Sequence, residues 1–193
     1  MRNPRYSTRC ETRQQGVALI TGLIFMVVLT LMAVTAARMA GLEERMSGNM
    51  RDRSLAVQAA ELALRDAEQD IRSSGRVSGI TNFVSACTNG LCYNGIQGNA
   101  NGTDWNITPA WSTVDMTAAP DSVAFGDNTG AADPGTPGAD LIAQLSASPR
   151  YIIEGIKKTP PGSGQPVYYY RITVRAQGAN PNTVVWLQEV FRP

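Results

Sequence analysis

Residues 13–40 read RQQGVALITGLIFMVVLTLMAVTAARMA, and this stretch decides the fold. It contains no charge over the 21 residues from Val17 to Ala37, and no proline interrupts it. A helix of that length rises about 31 Å, which is enough to cross a hydrocarbon core of about 30 Å. A secretory signal has a shorter apolar core that ends at a small-x-small cleavage site. The run therefore predicts a membrane-spanning helix that the protein keeps.

The residues before this run are basic. Arg2, Arg5, Arg9 and Arg13 stand against one acid, Glu11. Because positive flanks stay in the cytoplasm, the rest of the chain is predicted to be exported. The net charge of the whole chain is +1, which gives no indication of a nucleic-acid partner.

The helical pattern continues beyond the apolar run, because the next proline after the run is Pro109. Apolar residues recur at spacings of three and four, as on one face of a helix. They are Val57, Ala60, Leu64, Ala67 and Ile71. The pattern predicts one helix from about residue 17 to about residue 74, with its first half in lipid and its second half packed on a soluble head.

Strand patterns appear late in the sequence. Residues 150–156, 167–176 and 183–191 are rich in β-branched and aromatic side chains and are separated by turn residues. In the second of these segments Tyr168, Tyr170, Ile172 and Val174 fall on one face. The pattern predicts an antiparallel meander whose apolar face is covered by the helical stripe. The expected fold class is α+β.

Histidine is absent, which excludes Ser-His-Asp and Cys-His catalysis and any His-ligated metal site. We therefore expect a protein that is not an enzyme. Three cysteines are present, Cys10, Cys87 and Cys92. If Cys10 is cytoplasmic or removed, Cys87 and Cys92 can form a disulfide in the exported part; the alternative is two free thiols in a reducing compartment.

Residues 77–149 contain no lysine or arginine. Asp127, Asp133 and Asp140 in this region could offer oxygen ligands to calcium, but the EF-hand spacing is absent and a solvated acidic loop is the alternative. No other cofactor is indicated. The three tryptophans, Trp105, Trp111 and Trp186, are expected to pack in the core rather than to form a ligand platform.

Three features together resemble a known family. A basic leader ends in Gly16, an uncut apolar helix follows directly, and AVQAAELALRDAE (56–68) continues it as an amphipathic helix. These features resemble the type IV pilins, among them the PilX family of minor pilins, and are similar to the K-type minor pseudopilins of type II secretion. The resemblance implies that a prepilin peptidase cleaves after Gly16 and methylates the new N-terminus at Val17.

The resemblance also implies a type IV pilin fold with a definite domain order. Residues 1–16 are a cleaved leader, 17–38 the transmembrane and assembly half of the helix, and 39–75 its amphipathic half. Residues 76–193 are a periplasmic head with an acidic loop region and a C-terminal antiparallel sheet. The subunit is expected in the inner membrane as a single-pass protein and then in the pilus fibre.

Thr21 departs from the usual pilin pattern, because most pilins carry a glutamate at the fifth residue of the mature chain. In the family that glutamate is thought to face the N-terminal amine of the neighbour nearer the tip, and a buried carboxylate without such a partner is costly. Thr21 therefore predicts an assembly role at the tip. The alternative is a tolerated variation in which the hydroxyl bonds to the preceding helical turn.

The resemblance implies a minor pilin that initiates or primes pilus assembly at the tip. Its implied partners are other minor pilins, the major pilin, the prepilin peptidase, the inner-membrane assembly platform and a large tip adhesin. Two alternatives stay open within the family, a K-type pseudopilin of type II secretion and a tip adhesive module. A membrane-anchored enzyme or sensor domain is a further alternative.

Overall fold

The structure is a computed structural model and describes residues 16–93, 108–133, 140–160, 162 and 164–193. The chain divides into two compact units, Met1–Gly48 and Asn49–Pro193. Within the described residues one α-helix is followed by five strands. They are α1 (Val17–Ser73), β1 (Leu91–Tyr93), β2 (Val123–Ala124), β3 (Arg150–Lys158), β4 (Val167–Gln177) and β5 (Val184–Phe191).

Helix α1 begins and ends where the sequence predicts. Its N-terminal part is apolar and exposed, and α1 is the one described helix that is long and apolar enough to cross a membrane. The most apolar window of this helix has a mean hydropathy of 2.7, and none of that window is buried against the rest of the protein. This N-terminal segment therefore fits a single-pass membrane anchor.

The second unit contains a sheet in the order β1-β3-β4-β5, with β2 also paired to β3. Strands β3, β4 and β5 are consecutive and antiparallel, so the predicted meander is confirmed. Strand β1 was not predicted, and it runs parallel to β3 with Leu91 opposite Ile153. The α+β prediction is confirmed, and the sheet is mixed rather than purely antiparallel.

One face of the sheet packs on the C-terminal part of α1. The buried sheet residues include Tyr170, Ile172 and Val174, as the alternation in β4 predicts. All five residues of the predicted helical stripe pack in this core, with Val57 and Leu64 half-buried at its margin. The most buried helix positions are alanines, whose single methyl groups let the helix backbone lie close to the sheet. They are Ala56, Ala59, Ala60, Ala63 and Ala67.

The opposite face of the sheet is covered in part by a short 3-10 helix, Ala110–Ser112, and by Met116 after it. Ile152 packs there with Ala110, Met116 and both cysteines of the head. Beside this cluster, the buried Glu154 carboxylate accepts two hydrogen bonds from Arg171, each 2.7 Å long. It also accepts one from the Ala110 amide at 2.9 Å, which fixes the short helix on β3.

Candidate functional site

The predicted processing site lies at the start of α1. Gly16 has a φ of 155°, a backbone conformation that L side chains rarely adopt, and helix α1 begins at the next residue, Val17. A Cβ built on Gly16 would meet no atom of the described residues within 4 Å. Cys10 and the rest of the predicted leader lie outside the described residues.

Thr21 satisfies its own hydroxyl within the helix. Its Oγ1 donates to the Val17 carbonyl at 2.6 Å and lies 3.2 Å from the Ala18 carbonyl. Thr30 and Thr35 bond in the same way to carbonyls three residues earlier. Because a hydroxyl in lipid needs a partner, these bonds suit an apolar surrounding. Thr21 therefore places no charge and no unsatisfied donor in the apolar segment.

Cys87 and Cys92 form a disulfide that closes a tight loop on the sheet. Gly90 at the tip of the loop has a φ of 70°, and a Cβ there would lie 2.8 Å from the Val123 side chain. The Gly90 carbonyl accepts a hydrogen bond from the Ile153 amide at 2.7 Å. The loop is therefore docked against β2 and β3 and is not a free appendage of the head.

The three aspartates considered for calcium accept hydrogen bonds from residues close to them in the sequence. The Asp127 carboxylate accepts from the Ala124 amide and that of Asp133 from the Ile142 amide, while the Asp140 carbonyl accepts from the Gln144 side chain. Within the described residues, no three His, Cys, Asp or Glu side chains are grouped to hold a metal ion. The calcium assignment stays a prediction.

Two buried aspartates on α1 form a polar cluster that the sequence analysis missed. Asp66 accepts hydrogen bonds from the Gly126 amide and the Thr129 hydroxyl. Asp70 accepts from the Arg76 guanidinium and, at 2.8 Å, from the Tyr151 hydroxyl. The hint in the sequence was their spacing of four residues, with Ala67 between them, on the apolar face of the helix.

Arg76 connects this cluster to the disulfide loop. Its Nε lies 2.7 Å from Asp70 Oδ1, and its Nη1 donates to the Asn89 carbonyl at 2.6 Å. Burial by itself raises the pKa of Asp70, but the hydrogen bonds and charge of Arg76 outweigh it and hold that pKa below its ordinary value. Arg76 therefore joins the end of α1 to the disulfide loop, by an ion pair with Asp70 on one side and a hydrogen bond to Asn89 on the other.

A second acidic feature lies where β5 packs on α1. Glu189 faces Glu68 of the helix, and Glu189 Oε1 is buried with no hydrogen-bond partner among the described residues. Burial and the neighbouring Glu68 raise the pKa of Glu189 to about 7. Arg72 lies 3.9 Å from Glu68, and its guanidinium lies over the Phe191 ring, 4.7 Å from the ring centroid.

Glu189→Gln is expected to make the head more stable at pH 8 than the parent protein, and to change its stability little at pH 5. Because the pKa of Glu189 is raised in the folded state, the neutral carboxyl is tolerated there below the ordinary value near 4.5, and the head loses stability as the pH rises through about 7 and the group ionises. Glutamine does not ionise, so the variant avoids that loss. Thermal unfolding at both pH values measures this. Glu61→Gln, at an exposed site on α1, is the control, and equal pH slopes for parent and variant would contradict the prediction.

Two of the three tryptophans are not in the core, contrary to the sequence analysis. Trp111 and Trp186 lie on the outer face of the sheet with ring centroids 5.2 Å apart, and both are exposed. The Arg175 guanidinium lies 6.0 Å from the Trp186 ring centroid. Trp105 lies outside the described residues. The prediction was wrong because composition does not reveal which strand face a loop covers.

Two protein-family models match this chain. A family model described as "Type IV pilus assembly protein PilX C-term" matches residues 88–193, which is more than half of the chain. A second model, "PilX N-terminal", matches residues 15–65, including Gly16, Thr21 and the apolar helix. No curated protein and no solved structure matches the chain.

Proposed function

Because this chain belongs to the PilX family of type IV pilus assembly proteins, we propose that it is a minor pilin that primes pilus assembly and lies at the pilus tip. It acts as a structural subunit, not as an enzyme. It is anchored in the inner membrane by α1 with its head in the periplasm, and it then enters the fibre.

The observation that carries the tip proposal is the chemistry at Thr21. A subunit within the shaft has a neighbour above it, whose N-terminal amine can neutralise a carboxylate at this position. Thr21 carries no charge, so it requires no such neighbour, while its bond to the Val17 carbonyl is also what the alternative of a tolerated variation predicts. The proposed partners are the other minor pilins and the major pilin, the prepilin peptidase, the inner-membrane platform and a large tip adhesin.

Deleting the gene for this protein is expected to reduce the number of surface pili strongly while the major pilin stays in the membrane. The physical reason is that a primer is needed once per fibre, so its loss blocks initiation rather than subunit supply. Electron microscopy of sheared fibres and membrane immunoblots measure the two quantities. Gold labels on the head should lie at fibre ends in the complemented strain.

Three results would redirect this proposal. Labels spread evenly along fibres would remove the tip assignment but keep the pilin role. Normal piliation with a loss of protein secretion would favour the K-type pseudopilin alternative. Normal piliation with a loss of surface attachment would favour the tip adhesive module.

A further inference from the structure

Strand β5 forms the edge of the sheet, and among the described residues it pairs with β4 alone. The Gly178 amide donates to the Thr183 carbonyl at 2.9 Å, so this pair is hydrogen-bonded in the ladder. Because hydrogen-bonded pairs alternate with non-hydrogen-bonded pairs along an antiparallel ladder, the backbone groups of the odd-numbered residues of β5 bond to β4. The backbone N–H and C=O groups of Val184, Trp186, Gln188 and Val190 therefore point to the open edge, where they can pair with another strand.

The side chains at these four positions lie on the outer face of the sheet and carry no charge. Val190 is 60% exposed and Trp186 43% exposed, and Trp111 extends the apolar surface beside Trp186. The one charge within β5, Glu189, faces the helix instead. Soluble proteins commonly protect an edge strand with lysine, proline or a bulge. Between residues 184 and 191 β5 has no lysine and no proline, and its pairing with β4 is continuous.

Cations lie near both ends of this uncharged row, in which Val184, Trp186 and Val190 are apolar. Arg175 stacks on Trp186, and Arg192 lies 6.0 Å from the Tyr169 ring centroid at the other end. Exposed tryptophan and arginine are the residues that most often carry the binding energy of a protein interface. These features describe the partner that would fit this surface. It would have an extended backbone to pair with the open edge, apolar side chains at alternate positions to contact the row, and carboxylates at its ends to face the cations.

We propose that β5, with Trp111, is the docking surface for an extended segment from the head of a different pilus subunit, which adds a strand to the sheet. That the partner is a pilus subunit rests on the proposed function. A second copy fits less well because its edge carries the same cations, Arg175 on β4 and Arg192 after β5, and its β5 has no acid on the outer face. The interface would join this head to its neighbour by backbone hydrogen bonds as well as by the Trp186 and Val190 side chains.

The test is photo-crosslinking in cells that make pili. A benzophenone amino acid in place of Gln188, which is exposed on the outer face, is expected to crosslink to another pilus subunit. Mass spectrometry of the adduct should place the crosslink in an extended segment of that subunit's head. Val190→Lys should lower the adduct yield about tenfold, because a charge is then placed in the desolvated row. The matched control is Val84→Lys, at a 42% exposed site outside the row.

Trp111→Ala serves as a second variant, since it removes a contact without adding a charge and lies outside the strands. It should also lower the yield, while the Cys87–Cys92 disulfide still forms. An adduct with a second copy, a crosslink to a partner's helix, a yield that Val190→Lys does not change, or no adduct would each overturn the inference. If deletion of the protein reduces piliation but no adduct forms, the docking surface is wrong and the proposed function stands.

Discussion

Replacing Arg76 by methionine is expected to lower the free energy of unfolding of the head by about 3–5 kcal/mol. The Asp70 carboxylate is fully buried, and Arg76 supplies the one positive charge in its salt bridge. Without the guanidinium, the Tyr151 hydroxyl still donates, but the charge stays buried without compensation. The loss also frees the Asn89 carbonyl, which weakens the docking of the disulfide loop.

Chemical denaturation of the purified protein measures this change. Arg65→Met on the same helix is the control, since Arg65 is exposed and its loss should cost less than about 1 kcal/mol. The pKa of Asp70 is lowered, so the stabilisation is present above the ordinary value near 3.8 and is lost as the pH falls through the folded pKa. The parent and Arg76→Met should therefore converge in acid. A loss near that of Arg65→Met would show that the pair is not buried in solution.

A second large effect is expected at the start of the helix. Gly16→Val should leave the chain with its first sixteen residues and without methylation at Val17, and should keep the protein out of pili. Valine places a branched side chain directly before the cleaved bond, and the φ of 155° at this position is strained for any L side chain. Intact mass of the membrane-extracted protein measures processing directly.

The control for this prediction is Gly22→Ala. Gly22 lies inside the helix, where an added Cβ meets no other group of this chain, so processing should be normal. Two results would contradict the prediction. One is a mature mass for Gly16→Val, and the other is an unprocessed mass for the parent protein in cells with an active prepilin peptidase.

From the sequence one can predict the long helix and the three longest strands of this protein. The uncharged run from Val17 fixes a long apolar helix, and the alternation in residues 150–191 fixes three antiparallel strands with their buried face. The pairing of Cys87 with Cys92 was also predicted, from the expectation that Cys10 lies apart from the other two cysteines. These features depend on local period, on residue type and on short separations along the chain, which is why the sequence carries them.

The positions of the buried polar groups and of Trp111 and Trp186 follow from the tertiary structure and not from the sequence pattern. Asp70 is buried because Tyr151, 81 residues away, and Arg76 satisfy it, and a pattern of apolar residues cannot encode such partners. The most buried helix face is the alanine face, because close approach to the sheet depends on small side chains and not on hydrophobicity. Trp186 is exposed because its side chain lies on the outer face of the sheet, where Trp111 covers it only in part. Each of these outcomes depends on which distant segments meet, and this is determined by the packing of the whole head.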